Sequence, residues 1–159
     1  MGCDIHCEAH KVNEDGSYTV LDFSPFDWRC YGLFGFLANV RNYSCVPPIA
    51  ESRGLPEWVT RQKEQKEPYS MYGCHDENDY FSFGEHSFTY LMVAELLNFD
   101  YDSTFEDRRC SINGNGGSTC DVGQGTIVSF REFLGEGFFE DLETLKELNA
   151  NAIVFGFDS

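Results

Sequence analysis

The first clear period in the hydrophobic pattern lies at the start of the chain. Cys3, Ile5, Cys7 and Ala9 alternate with Asp4, His6, Glu8 and His10, the period of two of a strand with one face in a core. The run breaks at Asn13-Glu14-Asp15-Gly16, where Asp-Gly suits a turn with positive φ. Ser17-Tyr18-Thr19-Val20-Leu21-Asp22 follows as the antiparallel partner, so a hairpin is the first predicted element.

Tyr31, Phe34, Ala38 and Arg41 then recur at helical spacing beside Leu33, Phe36, Leu37 and Val40, predicting a central helix that is apolar nearly all round. Residues 42–85 read as mostly irregular, punctuated by Pro47-Pro48 and Arg53-Gly54-Leu55-Pro56. Pro56 opens a short polar helix through Glu57-Trp58-Val59-Thr60-Arg61-Gln62. Connections of this length often wall a binding site. His86-Ser87-Phe88-Thr89 leads into Tyr90-Leu91-Met92-Val93-Ala94-Glu95-Leu96-Leu97, a second apolar helix capped by Ser87 or Thr89. Residues 100–125, with the tip Asn113-Gly114-Asn115-Gly116-Gly117-Ser118, read as a flexible Gly/Asn-rich loop or insertion.

Ser129-Phe130-Arg131-Glu132 is a capping box that starts a short helix through Leu134. Phe139, Leu142, Leu145 and Leu148 carry a longer helix to about residue 150. Ala152-Ile153-Val154-Phe155-Gly156-Phe157 is apolar on both faces, as a doubly covered central strand is, and its expected place is beside the first strand. The sum is an α+β fold in one domain spanning 1–159. A small antiparallel or mixed sheet, built from the N-terminal hairpin and the C-terminal strand, is packed by two to four helices and joined by long irregular loops.

Composition narrows the function classes. Aromatics make up 16% of the chain, with fifteen Phe, which argues for ordered packing. No apolar run reaches the roughly 18 residues of a membrane span. The N-terminus has neither the basic start nor the apolar core of a secretory signal, and His6 stands where a myristoylation signal has Ser or Thr. The expected compartment is the cytoplasm. Seven cysteines in no paired framework read as buried or free thiols. A net charge of -16 repels nucleic acid and anionic membranes and attracts basic surfaces.

Several blocks together carry a family likeness: Met1-Gly2-Cys3-Asp4-Ile5-His6; Arg29-Cys30-Tyr31-Gly32-Leu33-Phe34 with Leu37-Ala38-Asn39-Val40-Arg41; Pro48-Ile49 and Arg53-Gly54-Leu55-Pro56; His86-Ser87; Glu95-Leu96; and Ile153-Val154-Phe155-Gly156-Phe157-Asp158. In this order they resemble a family of small, largely uncharacterised tailed-bacteriophage and prophage proteins that begin with the same hexapeptide. The resemblance covers nearly the whole length apart from about 100–125. It implies a phage gene product working in the host bacterial cytoplasm and carries no established reaction. The family tends to have an acidic residue at position 10 and Thr at position 92, where this chain has His10 and Met92.

Asp4 and His6, two apart on a strand, present a carboxylate and an imidazole to one side, a pair suited to a divalent metal or to acid and base work. The plainer alternative is that they bond each other or nearby backbone. No Gly-Asp-x-x-Asp or Gly-Asn-His block follows, which argues against a metallophosphoesterase. A zinc site from Cys3, His6, Cys7 and His10 is opposed by strand geometry, since residues three apart face opposite ways. Cys74-His75 and the pair Cys110, Cys120 offer no metal-ligand spacing. His86-Ser87, read as preceding a helix, could hold an anion or simply cap. Arg29, Arg41 and Arg53 stand out among only 11 basic residues, either as structural partners of carboxylates or as binders of an anionic group. Gly114-Asn115-Gly116-Gly117 lacks the ending of a phosphate-binding loop.

In the phage setting that the resemblance implies, these residues predict an accessory protein with a polar pocket on the N-terminal strand for a small anionic ligand, with or without a divalent metal. If it is an enzyme, His6, Asp4 and His86 are the candidate catalytic groups; Arg29, Arg41, Arg53 and Ser87 are the candidate ligand-binding groups; Asp4 and His6 are the candidate metal ligands. The alternative is an acidic interaction protein that occupies the basic, nucleic-acid-binding surface of a host defence protein, with the acidic surface as its active part.

Overall fold

The computed structural model describes residues 2–64, 83–112 and 115–158. Its elements are β1 (Asp4–Val12), β2 (Tyr18–Val20), α1 (Tyr31–Ala38), α2 (Glu57–Glu64), β3 (His86–Met92), α3 (Val93–Asn98), β4 (Thr104–Asp107), β5 (Arg109–Ile112), β6 (Asn115–Thr119), β7 (Thr126–Ser129), α4 (Phe130–Leu134), α5 (Glu136–Glu147) and β8 (Ala152–Asp158). The architecture is α+β, with a four-stranded antiparallel sheet, two two-stranded ribbons and helices. The described chain forms two compact units. One comprises Met1–Arg29, Ser52–Leu97 and Glu140–Ser159; the other comprises Cys30–Glu51 and Asn98–Phe139. No helix among the described residues is long and apolar enough to cross a membrane.

The first unit is built on the sheet β2-β1-β8-β3. The hairpin forms where the alternation and the Asp-Gly turn place it: Gly16 takes φ 87°, and His10, Lys11 and Val12 pair with Val20, Thr19 and Tyr18. β8 lies beside β1, with Asp4 opposite Asp158, His6 opposite Gly156, Glu8 opposite Val154 and His10 opposite Ala152. Cross-strand partners share a face. The face of Cys3, Ile5, Cys7 and Ala9 is therefore also that of Phe157, Phe155 and Ile153, and all seven are buried. Val154, on the other face, is buried with Val59 of α2 and Phe83 among Tyr18, Leu55, Trp58, Phe88 and Tyr90. Coverage on both faces is why β8 is apolar on both of its faces. Gly156 interrupts the row of side chains because the Phe83 carbonyl and the Phe88 ring lie where a Cβ would go.

The predicted second helix divides in two. His86–Met92 is strand β3, paired with β8, and only Val93–Asn98 is helical. Thr89 and Leu91 are buried while Phe88, Tyr90 and Met92 are partly covered, a period of two that the following apolar run conceals in the sequence. Ser87, at φ 58°, sits in the irregularity between His86 and Thr89 and caps no helix.

In the second unit, α1 ends earlier than its apolar pattern. Asn39 takes the left-handed conformation at φ 58°; its N–H donates to the Gly35 carbonyl at 2.9 Å, and the Val40 N–H donates to the Phe34 carbonyl at 3.2 Å. Arg41 is thus outside the helix, not on its face. Phe36 packs among Phe99, Tyr101, Phe130 and Phe138, with centroids 5.2 to 6.1 Å away. The Ser129 hydroxyl accepts the Glu132 N–H at 3.1 Å, as the capping box predicts. The expected flexible stretch 100–125 carries β4, β5 and β6, in the ribbons β4-β7 and β5-β6. Such ribbons are held by ladder hydrogen bonds between backbones, which leave no hydrophobic pattern in the sequence. Asn113 and Gly114, and the stretch 69–82 with Cys74 and His75, lie outside the described residues.

Candidate functional site

At the N-terminal end of β1, Asp4, Ile5, His6, Asp27, Trp28 and Arg29 line a cleft of about 370 Å³. β1 supplies Asp4 and His6 from its even-numbered face. The other wall is a corner in the chain after β2, where Phe26 has φ 61° and is completely buried. The Phe26 N–H donates to Asp141 Oδ2 at 2.7 Å, and the Trp28 N–H donates to the Phe26 carbonyl at 2.9 Å. These bonds hold Asp27, Trp28 and Arg29 against the strand end.

Arg29 closes on Asp4 as a two-pronged pair, Nε to Oδ1 and Nη2 to Oδ2, both 2.9 Å. Gly2 has no side chain to obstruct this guanidinium. Hydrogen bonding from Arg29 holds the Asp4 carboxyl below its usual range, with the guanidinium charge adding to the effect. Both partners are half exposed, so the pair orders the cleft wall more than it stabilises the fold.

His6 pairs instead with Asp158: Nε2 stands 2.5 Å from Asp158 Oδ2. The register explains it. Asp158 is opposite Asp4 on β8, Gly156 is opposite His6, and all share one face. An ionised carboxylate accepts the Nε2 proton and leaves Nδ1 as the nitrogen with a lone pair. This is the arrangement that orients an imidazole as a hydrogen-bond acceptor or base.

The row of four polar side chains on β1 splits here. Asp4 and His6 line the cleft, while His10 is fully buried under Trp58, Tyr18 and Phe83. The Trp58 indole donates to His10 Nδ1 at 3.1 Å, which puts the ring proton on Nε2. His10 stacks on Tyr18, centroids 4.5 Å apart. Its Nε2 has no hydrogen-bond partner among the described residues, and Glu8 Oε1 is 3.6 Å from it. Burial, reinforced by Glu8, pushes the Tyr18 phenol up to about 12. His10 and Glu8 are therefore part of the packing under α2.

The other sequence candidates lie elsewhere. His86 is in register with Phe157, on the Ile5 side of the sheet; its Nδ1 is 2.9 Å from Ser87 Oγ and its ring stacks on Phe157. Six residues of strand separate it from α3, so the helix-terminus anion site expected at His86 and Ser87 has no helix to supply it. Arg53 is bidentate with Glu95, at 2.9 and 2.8 Å, and lies over the Tyr90 ring. Arg41, in the second unit, lies over Tyr31 and within 3.4 Å of the Tyr43 hydroxyl. Of the three arginines, Arg29 alone lines the cleft.

A divalent metal on Asp4 and His6 fits poorly, because Arg29 takes both Asp4 oxygens and Asp158 takes His6 Nε2. Among the described residues no group of three or more His, Cys, Asp or Glu side chains is arranged to hold a metal ion. Cys3 and Cys7 are buried on the face opposite His6 and His10, so the four-ligand zinc arrangement does not form. Burial also pushes the Cys7 thiol well above its ordinary range, away from nucleophilic use.

Three members of the site were missed in the sequence: Asp158, Asp27 and Trp28. The expected pairing of first and last strands carried the signal for Asp158, since that register sets it beside Asp4. Asp27 and Trp28 read only as a break between elements. No family model, curated protein or solved structure matches the chain.

Proposed function

We propose that this chain is a small-ligand-binding protein whose cleft at the start of β1 takes up a polar molecule. The observation that carries the reading is the meeting of Asp4, His6 and Arg29 around one space, with His6 oriented by Asp158. In that role His6 Nδ1 accepts a hydrogen bond or proton from the ligand, and the Asp4–Arg29 pair forms a rigid polar wall. The likeness to small tailed-bacteriophage proteins gives the setting, an accessory protein in the host cytoplasm. A thermal-shift survey of amino acids, polyamines, nucleosides and sugar phosphates tests it. A ligand that binds the cleft raises the melting temperature of the native chain and not that of an Asp4→Asn, His6→Ala variant. Equal response of both proteins, or none from either, contradicts it.

A second reading is favoured by charge. Glu140, Glu143 and Glu147 are exposed on α5, and their spacing of three and four puts them on one helix face of a chain with net charge -16. On that reading the acidic surface docks on a basic host protein, and the cleft is architectural. Glu140→Lys with Glu143→Lys then abolishes capture of the partner, whereas Asp4→Asn with His6→Ala leaves it intact.

A further inference from the structure

The chemical class of the cleft's ligand follows from what its lining leaves unengaged; this inference rests on the cleft reading above. Arg29 is occupied by Asp4, and His6 Nε2 by Asp158. The Asp27 carboxylate is exposed and makes no hydrogen bond or ion pair among the described residues. Beside it Trp28 is 37% exposed, although its ring is held edge-on by Phe26, centroids 6.2 Å apart at 71°. An open carboxylate next to an accessible indole suits a positively charged group, which pairs with the first and lies on the π face of the second.

Charge points the same way. Asp4, Asp27 and, behind His6, Asp158 set three carboxylates against one guanidinium. An anion would have to take Arg29 from Asp4 while facing Asp27. The net charge of -16 concentrates cations at the surface and disfavours anions. We propose that the cleft recognises an alkylammonium or guanidinium group, with Asp27 as its counter-charge and Trp28 as its aromatic wall. His6 Nδ1 then accepts one of the ligand's N–H bonds.

The test is an amide NMR titration at physiological ionic strength with spermidine, arginine, a tri-arginine peptide, inorganic phosphate and a mixture of neutral polar fragments. The expected result is saturable shifts at Asp4, Ile5, His6, Asp27, Trp28 and Arg29 with the cations, and none there with phosphate. Asp27→Asn weakens binding about tenfold, as loss of a charged hydrogen-bond partner does, and Trp28→Ala about threefold. Tighter binding of the peptide than of spermidine and arginine assigns the cation to a protein side chain; the reverse assigns it to a small molecule. Cleft shifts with phosphate or neutral fragments alone overturn the cationic class and leave the cleft reading standing. Cation shifts that are scattered over the acidic surface and indifferent to Asp27→Asn also overturn it. No cleft shift with any probe overturns both.

Discussion

Nε2 of His6 lies 2.5 Å from Oδ2 of Asp158, a residue 152 positions away in sequence, because β1 and β8 are antiparallel neighbours. This contact fixes which imidazole nitrogen carries the proton. Asp158→Ala frees the ring, so nitrogen NMR changes from a single Nε2–H tautomer to a mixture. The variant loses about 1 kcal/mol of stability, the usual net worth of such a bond. An unchanged tautomer signal would show that Asp158 does not orient His6.

Asp4 and Arg29 form the second pair. The carboxyl is held low by the guanidinium, so its contribution to stability is present above its ordinary value of 3.8 and is lost as pH falls through its lower folded value. In Arg29→Met the Asp4 carboxyl, followed by carbon NMR, titrates at higher pH than in the native chain, and the acid-side loss of stability attributable to the pair shrinks.

Trp58 and His10 are the buried counterpart. Trp58→Phe leaves His10 Nδ1 without its donor in a fully buried position, which costs about 1–3 kcal/mol. Urea unfolding then shows a lower midpoint with an unchanged slope.

Tyr18, stacked on His10, contributes to the alkaline limb. Its phenol is pushed from 10 to about 12, so the fold favours the neutral form. Its own contribution to stability is intact below pH 10 and is lost as pH rises from 10 towards about 12, beside the losses from the Cys7 thiol and the Tyr101 phenol, which burial also pushes up. Tyr18→Phe flattens that part of the pH–stability curve, and the phenolate absorbance of the native chain shows Tyr18 titrating late.

How far these relationships were legible depends on how local their causes are. The hairpin, α2, the Ser129 cap and β8 come from periodicity and turn chemistry written in adjacent residues. β3 was hidden because Leu91 and Met92 run without a break into the apolar residues of α3, so one helical period fits both. Ribbon strands β4, β5 and β6 are paired through backbone hydrogen bonds, which imprint no alternation on the sequence. In the site, Asp4 and His6 were visible as neighbours on one strand face, and Arg29 was singled out as a scarce cation. The partner of His6 depended on strand register, and the selection of Arg29 over Arg41 and Arg53 depended on where the chain turns after β2. Burial of His10 beneath Trp58 required the docking of α2, which no local pattern encodes.

The most direct test of the central claim is where a ligand binds. Titration of the isotope-labelled chain with the polar molecule giving the largest thermal shift should move the amides of Asp4, Ile5, His6, Asp27, Trp28 and Arg29 together, with one saturation curve, and leave the exposed face of α5 unmoved. Shifts confined to Glu140, Glu143 and Glu147, with the start of β1 silent, would contradict the cleft as the working site.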